Sequence, residues 1–326
     1  MNTSGVGTYV ARLPHYLREF LESSPSGGEG VNRWTIQAAN RLHRCHTEVP
    51  EAVMEDILEH YAGRSLKPGE AARAIRASHP DNPRTHSAPD SPKWPQRNLY
   101  EIERIALENP GIPGLHGCSA VEGDSVDAEQ AVDLLFPGNP LLCVGMRPDH
   151  CDTLPRVEWR GFLRGHQLIV PSPMTAVSGR TQDGRAAPRT LSNTGPRRFL
   201  VVEFDFRERD SEGVDTLTGP LIRKLRERER TVADLCASLH LHLANYWPLA
   251  MVVHSGGKSH HGWYPCARRS EEDVRKFMRF AVSLGADPAT WTRCQFVRLP
   301  SGLRCPGNVR QRIEFFNPSA LSTNLP

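Results

Sequence analysis

Residues 199–206 read FLVVEFDF, and this octet decides the fold class. Its β-branched and aromatic residues specify a strand. Strand alternation sets Glu203 and Asp205 on one face and Val202, Phe204 and Phe206 on the other. Two carboxylates side by side repel, and stability alone does not favour them. A divalent Mg²⁺ or Mn²⁺ removes that repulsion, because hard cations take carboxylate oxygens. The bland alternative is the solvated side of an edge strand, but the neighbouring residues have a buried character.

Downstream, residues 254–264 read HSGGKSHHGWY. A strand runs into Ser255, Gly256, Gly257, Lys258 and Ser259, and the chain emerges through His260, His261 and Trp263. Two glycines let backbone N–H groups approach a phosphate, and Lys258, Ser259 and a histidine add donors. The stretch is not a P-loop. That motif needs a glycine where Val252 stands and a helix where Gly262 and a Trp-Tyr-Pro run follow. A glycine hairpin with surface histidines is the structural alternative. His260 and His261 point to opposite faces of a strand, which argues against zinc held by the pair.

Residues 284–304 read LGADPATWTRCQFVRLPSGLR. Asp287 follows a helix end and precedes Pro288, a common turn pairing. Arg298 lies two residues after Phe296, so an ideal strand puts both on one face. Residues 268–312 hold ten Arg or Lys against four Asp or Glu. A surplus of that density fits a phosphate track, with a solvated basic face as the alternative.

Around these stretches, strand signals fall at residues 141–144, 167–170, 249–254, 295–299 and 312–316. Helical signals fall at 99–107, 221–247 and 270–285, the last opened by Ser270 with Asp273 and closed by Gly285. Hairpin-length and helix-length connections together predict an α+β fold with a mixed or antiparallel central sheet. Residues 12–78 are helical throughout: Leu17, Phe20 and Leu21, then Trp34, Ala38 and Leu42, then Val53, Ile57 and Tyr61 form stripes, and Ala71, Ala72 and Ile75 follow. That part has nine basic and nine acidic residues and no net charge. Between the parts runs HPDNPRTHSAPDSPKWP, residues 79–95, whose five prolines stop any helix. The expected organisation is a small all-α domain over 1–80, a proline-rich linker over 81–97 and a larger domain over 98–326.

The chain has 326 residues, 38% hydrophobic and 24% charged, with a formal net charge of +3. Two cores fit that length. Apolar runs are strand-sized, which excludes a membrane span, and residues 1–10 lack a basic-then-apolar leader. Eight cysteines without a C-x-x-C pair predict reduced thiols and a cytoplasmic protein. Cys143 with His150 and Cys151, or Cys294 with Cys305, lack the usual zinc spacing.

Taken together, E-x-D at Glu203 and Asp205, S-x-H at Ser259 to His261 and the later Asp287 resemble the archaeo-eukaryotic primase superfamily, in particular the primase-polymerases of plasmids, phages and other mobile elements. SGGKSHHGW and RLPSGLR resemble that family's S-x-H turn and the arginine-proline loop after its third acid. The resemblance covers about residues 130–317, and residues 28–78 resemble the helical domain that accompanies such primases. In the family that domain usually follows the core, whereas here it precedes it. The first motif departs from the usual D-x-D or D-x-E by one methylene, and Glu314 in RIEFF competes with Asp287 as third acid.

The resemblance implies a DNA primase or polymerase. Glu203, Asp205 and Asp287 would hold two Mg²⁺ or Mn²⁺ ions. Ser255, Lys258, Ser259, His261 and Arg298 would bind a nucleoside triphosphate. A 3′-hydroxyl on single-stranded template or primer–template would attack the α-phosphate, with Glu203, Asp205, His261 and Asp287 as the catalytic set. With no helicase-type P-loop in the chain, a separate helicase is the expected partner. Two alternatives stay open: a metal-dependent nuclease or phosphodiesterase on the same residues, and a catalytically degenerate primase fold that binds nucleic acid.

Overall fold

The structure, a computed structural model, describes residues 3–25, 31–45, 49–79, 94–121, 125–181, 184–206, 219–305 and 307–322. The chain divides into two compact units, Met1–Lys93 and Trp94–Pro326. The division falls within the expected linker, of which residues 81–93 lie outside the described residues.

Among its described residues the first unit has five helices: α1 (Thr3–Arg12), α2 (His15–Glu22), α3 (Val31–Arg44), α4 (Glu51–Tyr61) and α5 (Glu70–Ser78). Their stripes meet in one core that buries Leu17, Leu21, Trp34, Ala38, Leu42 and Ile57. The α4 stripe is rotated from the sequence reading. Met54 and Leu58 are buried beside Ile57, and Val53 and Tyr61 flank the core half-buried. In α5 the buried partner of Ala71 and Ile75 is Ala74. The turn into α5 is fixed by Glu70, which accepts from the Lys67 amide at 2.8 Å and pairs with Arg64 at 2.6 Å. Helix α1 was not read from the sequence, where helicity was taken to begin at residue 12.

The second unit is α+β. It opens with α6 (Leu99–Glu108), α7 (Ile112–Gly117) and α8 (Ala128–Leu135). Strands β1 (Leu141–Arg147), β2 (His150–Pro155) and β3 (Leu168–Ile169) follow, with a small ribbon of β4 (Gly179–Arg180) and β5 (Ala186–Ala187). Then come β6 (Phe199–Phe204), α9 (Gly219–Glu227), α10 (Val232–Ala244), β7 (Met251–His254), β8 (His260–Pro265) and α11 (Glu271–Ser283). The chain closes with β9 (Val297–Arg298), β10 (Leu303–Arg304), β11 (Val309–Arg310), β12 (Ile313–Phe316) and α12 (Ser319–Ser322). One four-stranded sheet has the order β12-β7-β8-β6, and a second has β2-β1-β3-β9. All pairings among the described strands are antiparallel, which resolves the expectation of a mixed or antiparallel sheet.

Alternation along β6 sends its residues into two cores. Leu200, Val202 and Phe204 pack with α6, α9, α10 and α11. Phe199 and Val201 pack with Leu142, Val144, Ile169 and Val297 of the second sheet and with α8. The first sheet is therefore covered on both faces. Leu235, Leu239 and Leu243 of α10 are fully buried, as the leucine stripe predicts. Helix α10 is stitched to α7 by Asp234, which accepts from the Thr231 and Ile112 amides at 2.9 and 3.0 Å. No helix among the described residues is long and apolar enough to cross a membrane. All eight cysteines are free.

Arg156 ties β2 to α8. Its side chain is 1% exposed, with Nη2 2.7 Å from Glu129 Oε2 and Nε 2.8 Å from Asp133 Oδ1. Replacing it leaves two partly buried carboxylates facing each other without a cation. Arg156→Met is expected to lower unfolding stability by ~2–3 kcal/mol, below the full penalty of a buried pair because both acids keep some solvent. Arg156→Lys should recover little of that, since one ammonium cannot span both acids. Urea unfolding checks this, and a loss under ~0.5 kcal/mol for either variant would contradict it.

Candidate active site

The described end of β6 carries Glu203, with Asp205 just beyond it. Glu203 pairs with His261 in the β6–β8 register. On β8, His261 and Trp263 take the side of the inter-sheet core, whereas Tyr264 packs with the helices. His260 turns the other way, with its ring 4.9 Å from that of His254. The two histidines therefore serve opposite faces, as strand geometry requires.

Asp287 reaches the same place by a backbone link: its N–H donates to the Glu203 carbonyl at 2.9 Å. Its carboxylate accepts from the Ala289 amide at 2.9 Å and opens the single turn Pro288–Trp291. The Asp-Pro turn reading is thus correct locally, and that turn delivers a third acid to β6. Glu314 is elsewhere. It lies on β12, with β7 and β8 between it and β6, bound by His116 at 2.6 Å and Arg312 at 3.2 Å. Of the two, Asp287 is the acid beside Glu203.

Burial raises the Glu203 pKa to about 7, and the negative charges of Asp287 and Asp205 push in the same direction. The Ser259 hydroxyl and Arg298 pull it back. His261 is 2% exposed and held well below its ordinary pKa, by burial first and then by Arg298. Its imidazole is neutral at pH 7. Its Nε2 lies 3.5 Å from Glu203 Oε1 and 3.3 Å from Ser259 Oγ, whereas Nδ1 is buried with no hydrogen-bond partner. With Ser259 donating to Glu203, the consistent tautomer has the proton on Nε2 and a bare acceptor at Nδ1.

Cations surround the acids. Lys258 Nζ is 3.7 Å from Asp205 Oδ1. Arg298 is partly buried, and burial together with the charge of Arg304 lowers its pKa against the pull of Glu203 and Asp205. Gln167 accepts from Arg298 Nη1 at 3.0 Å and donates to the Met146 carbonyl. Neither Gln167 nor Arg304 emerges as a site residue from the sequence. Arg304 closes the quoted RLPSGLR loop, but no periodicity marks Gln167. The strand expected over 295–299 is only Val297–Arg298, and Phe296 packs against Arg189 and a small cluster with Cys143 and Leu168.

The glycine loop departs from the phosphate-cradle expectation. Ser255 is 1% exposed, and its hydroxyl accepts from the Gly257 and Ser259 amides at 3.3 and 3.2 Å. The Gly256 amide donates to His254 Nδ1 at 3.3 Å. The loop amides are thus turned inward, and Ser255 shapes the turn. Gly256 adopts a φ of 73°, which favours glycine. Gly257 makes room: a Cβ there would sit 2.0 Å from Arg304 Nη1.

The donor set of Glu203, Asp205 and Asp287 has the hard-oxygen chemistry that Mg²⁺ or Mn²⁺ takes. Among the described residues, however, no three His, Cys, Asp or Glu side chains converge on a single point as a closed metal cage. Of the cysteines named in the sequence, Cys143 is buried, Cys151 and Cys294 are half-buried and Cys305 is exposed. A separate cavity of about 740 Å³, lined by His116, His254, His260, Arg312 and Glu314, does not include the three acids. No family model, curated protein or solved structure matches the chain.

Native Glu203 keeps its proton to about pH 7, while in the unfolded chain it releases it near 4.5. Its contribution therefore turns unfavourable as pH rises through that window. In EDTA, Glu203→Gln should match the wild type below pH 4.5 and gain on it steadily, reaching ~3 kcal/mol near pH 8. Chemical denaturation at a series of pH values measures the difference. A gap that does not grow with pH would refute the buried-acid account.

Proposed function

We propose that the chain is a template-dependent nucleotidyltransferase, a primase or polymerase that joins a nucleoside triphosphate to a 3′-hydroxyl. The observation that carries this reading is the meeting of Glu203, Asp205 and Asp287 with Lys258, His261, Arg298 and Arg304 at one end of β6. Phosphoryl transfer needs those parts: acids for divalent ions and cations for phosphate oxygens. The three acids would hold Mg²⁺ or Mn²⁺, which lowers the hydroxyl pKa and stabilises the leaving oxygen.

The remaining work falls to the protein's own groups. Lys258, Arg298 and Arg304 bind the triphosphate by charge and direct N–H donors, because Ser255 and His254 already engage the loop amides. His261 is a neutral positioning group. Its Nε2–H orients Glu203 and Ser259, so the acid that most resists ionisation is held in place. The long Glu203 side chain in the E-x-D motif is kept by that contact. Template DNA and a separate helicase are the partners this reading requires.

Labelled primer–template with Mg²⁺ or Mn²⁺ and each nucleotide set, beside unprimed template, tests the activity. Wild type should extend the primer, and Asp205→Ala and His261→Ala should each cut the rate by about 10²-fold or more. Shortening of the strand without triphosphates would identify a nuclease instead. Nucleotide or strand binding without any product would identify a degenerate binding module.

Gly257→Ala tests the arginine-led cradle. The methyl displaces the flexible end of Arg304 and leaves the backbone unstrained, so the melting temperature should stay within about 2 °C. Triphosphate affinity by calorimetry should fall about fivefold to tenfold. Unchanged affinity would show that Arg304 makes no contact with the nucleotide.

A further inference from the structure

At the opposite end of the same strand, a cavity of about 560 Å³ is lined by Arg197, Arg268, Arg269 and Arg293, with Glu271 as its single acid. Four guanidinium groups around one space repel one another, and one carboxylate offsets only part of that. Arg197 is the built element. Its side chain is 5% exposed, and its guanidinium lies 4.3 Å over the Trp291 ring. Nη2 donates to Glu271 Oε1 at 3.2 Å and to the Trp291 carbonyl at 2.8 Å, yet its buried Nε has no hydrogen-bond partner. Arg293 is held by the Gly195 carbonyl at 3.1 Å, and Arg269 lies 4.9 Å over Trp247. A desolvated cation with an unmet donor, backed by three further cations, is built for an anion.

We infer that this cavity is a second anion site, which takes a phosphodiester group of a nucleic-acid strand whose end lies at the acids. The connection between the two places is short. Asp287 donates to Glu203, and the turn Pro288–Trp291 then carries the chain to the Trp291 ring under Arg197. Along β6 the site is six residues from Glu203, or ~20 Å at about 3.3 Å per residue. That spans about six base pairs, since each strand places a phosphate every ~3.4 Å of duplex axis. The direction of the strand rests on the proposed nucleotidyl transfer, but binding at the cavity does not.

Arg268 and Arg269 are exposed, so their replacement spares the fold. The test compares wild type, Arg268→Gln/Arg269→Gln and the charge-matched control Arg160→Gln/Arg164→Gln, whose residues are exposed elsewhere. Fluorescence anisotropy follows binding to labelled duplexes of four and twelve base pairs, each with a single-stranded overhang, across a salt series. The double variant should bind the long duplex about tenfold more weakly, with a salt slope lower by about 1.8, and the short duplex as wild type does. Equal binding of the long duplex by variant and wild type overturns the proposal, as does an equal loss in the control. Inorganic phosphate that competes at low millimolar levels without any length dependence assigns the cavity to a small anion and also overturns it. Because this binding is read without triphosphate, a failed extension assay with intact length dependence would refute the proposed reaction and leave this site standing.

Discussion

The candidate site depends on β6 having two buried faces. Leu200, Val202 and Phe204 fill the helix-side core, and Phe199 and Val201 fill the core between the sheets. Each such side chain contributes roughly 1.5–3 kcal/mol on burial. A slip of one residue would exchange the faces and drive Glu203 into the helix-side core. The register is therefore fixed by the fit of five apolar side chains to two separate cores and by the cost of moving the Glu203 carboxylate among the helices. Asp205 follows just past the end of β6, where Phe206 still enters the helix-side core and so turns Asp205 away from it. Asp287 joins through one backbone hydrogen bond, so all three acids inherit their place from main-chain geometry.

An acid cluster held so firmly must be balanced, and the balance explains the surrounding residues. Lys258 and Arg298 come from different segments, one on the glycine loop and one on the second sheet. The two sheets meet through the core beneath them. His261 is kept neutral by burial and by Arg298, so it adds no positive charge and instead supplies a directed N–H. A charged imidazole there would quench Glu203 outright, whereas a neutral one orients it and leaves its charge open to a divalent ion.

Much of this was legible from residue order. FLVVEFDF has a strong strand pattern and an unambiguous alternation; the strand holds over Phe199–Phe204, and Asp205 and Phe206 lie just past its end. The Ser270 cap and the Leu235, Leu239, Leu243 stripe hold for the same reason, because they are local. Helix α8 carried a readable signal that was passed over: Asp127 accepts from the Gln130 amide, and Gln130 answers the Asp127 amide. Strand β2 reads HCDTLP and has no apolar alternation, so only its pairing with β1 makes it a strand. Strands β3 and β9 do fall inside the strand signals at 167–170 and 295–299, but pairing keeps only two residues of each in the sheet. Gln167, just before β3, makes a contact that no local pattern carries. It touches Arg298 across 131 residues of sequence, and nothing near it in the chain foretells the contact.

The glycine loop is where a local motif and its use part most clearly. A glycine pair beside Lys and Ser invites an amide cradle, because glycine lets backbone donors approach phosphate. Here the amides of residues 256, 257 and 259 already have acceptors in His254 and Ser255. Opening them to a ligand would cost the loop three hydrogen bonds, each worth about 1 kcal/mol net. What glycine supplies instead is the absence of a side chain beneath Arg304. Arginine offers five donors in a fixed fork, and Arg304 brings its Nη1 end into the space that a Cβ on residue 257 would fill. Guanidinium groups pair with carboxylate and phosphate oxygens through two parallel N–H donors, which suits the triphosphate of the proposed reaction. The loop and the arginine surplus downstream are then one device, joined at the contact between Gly257 and Arg304.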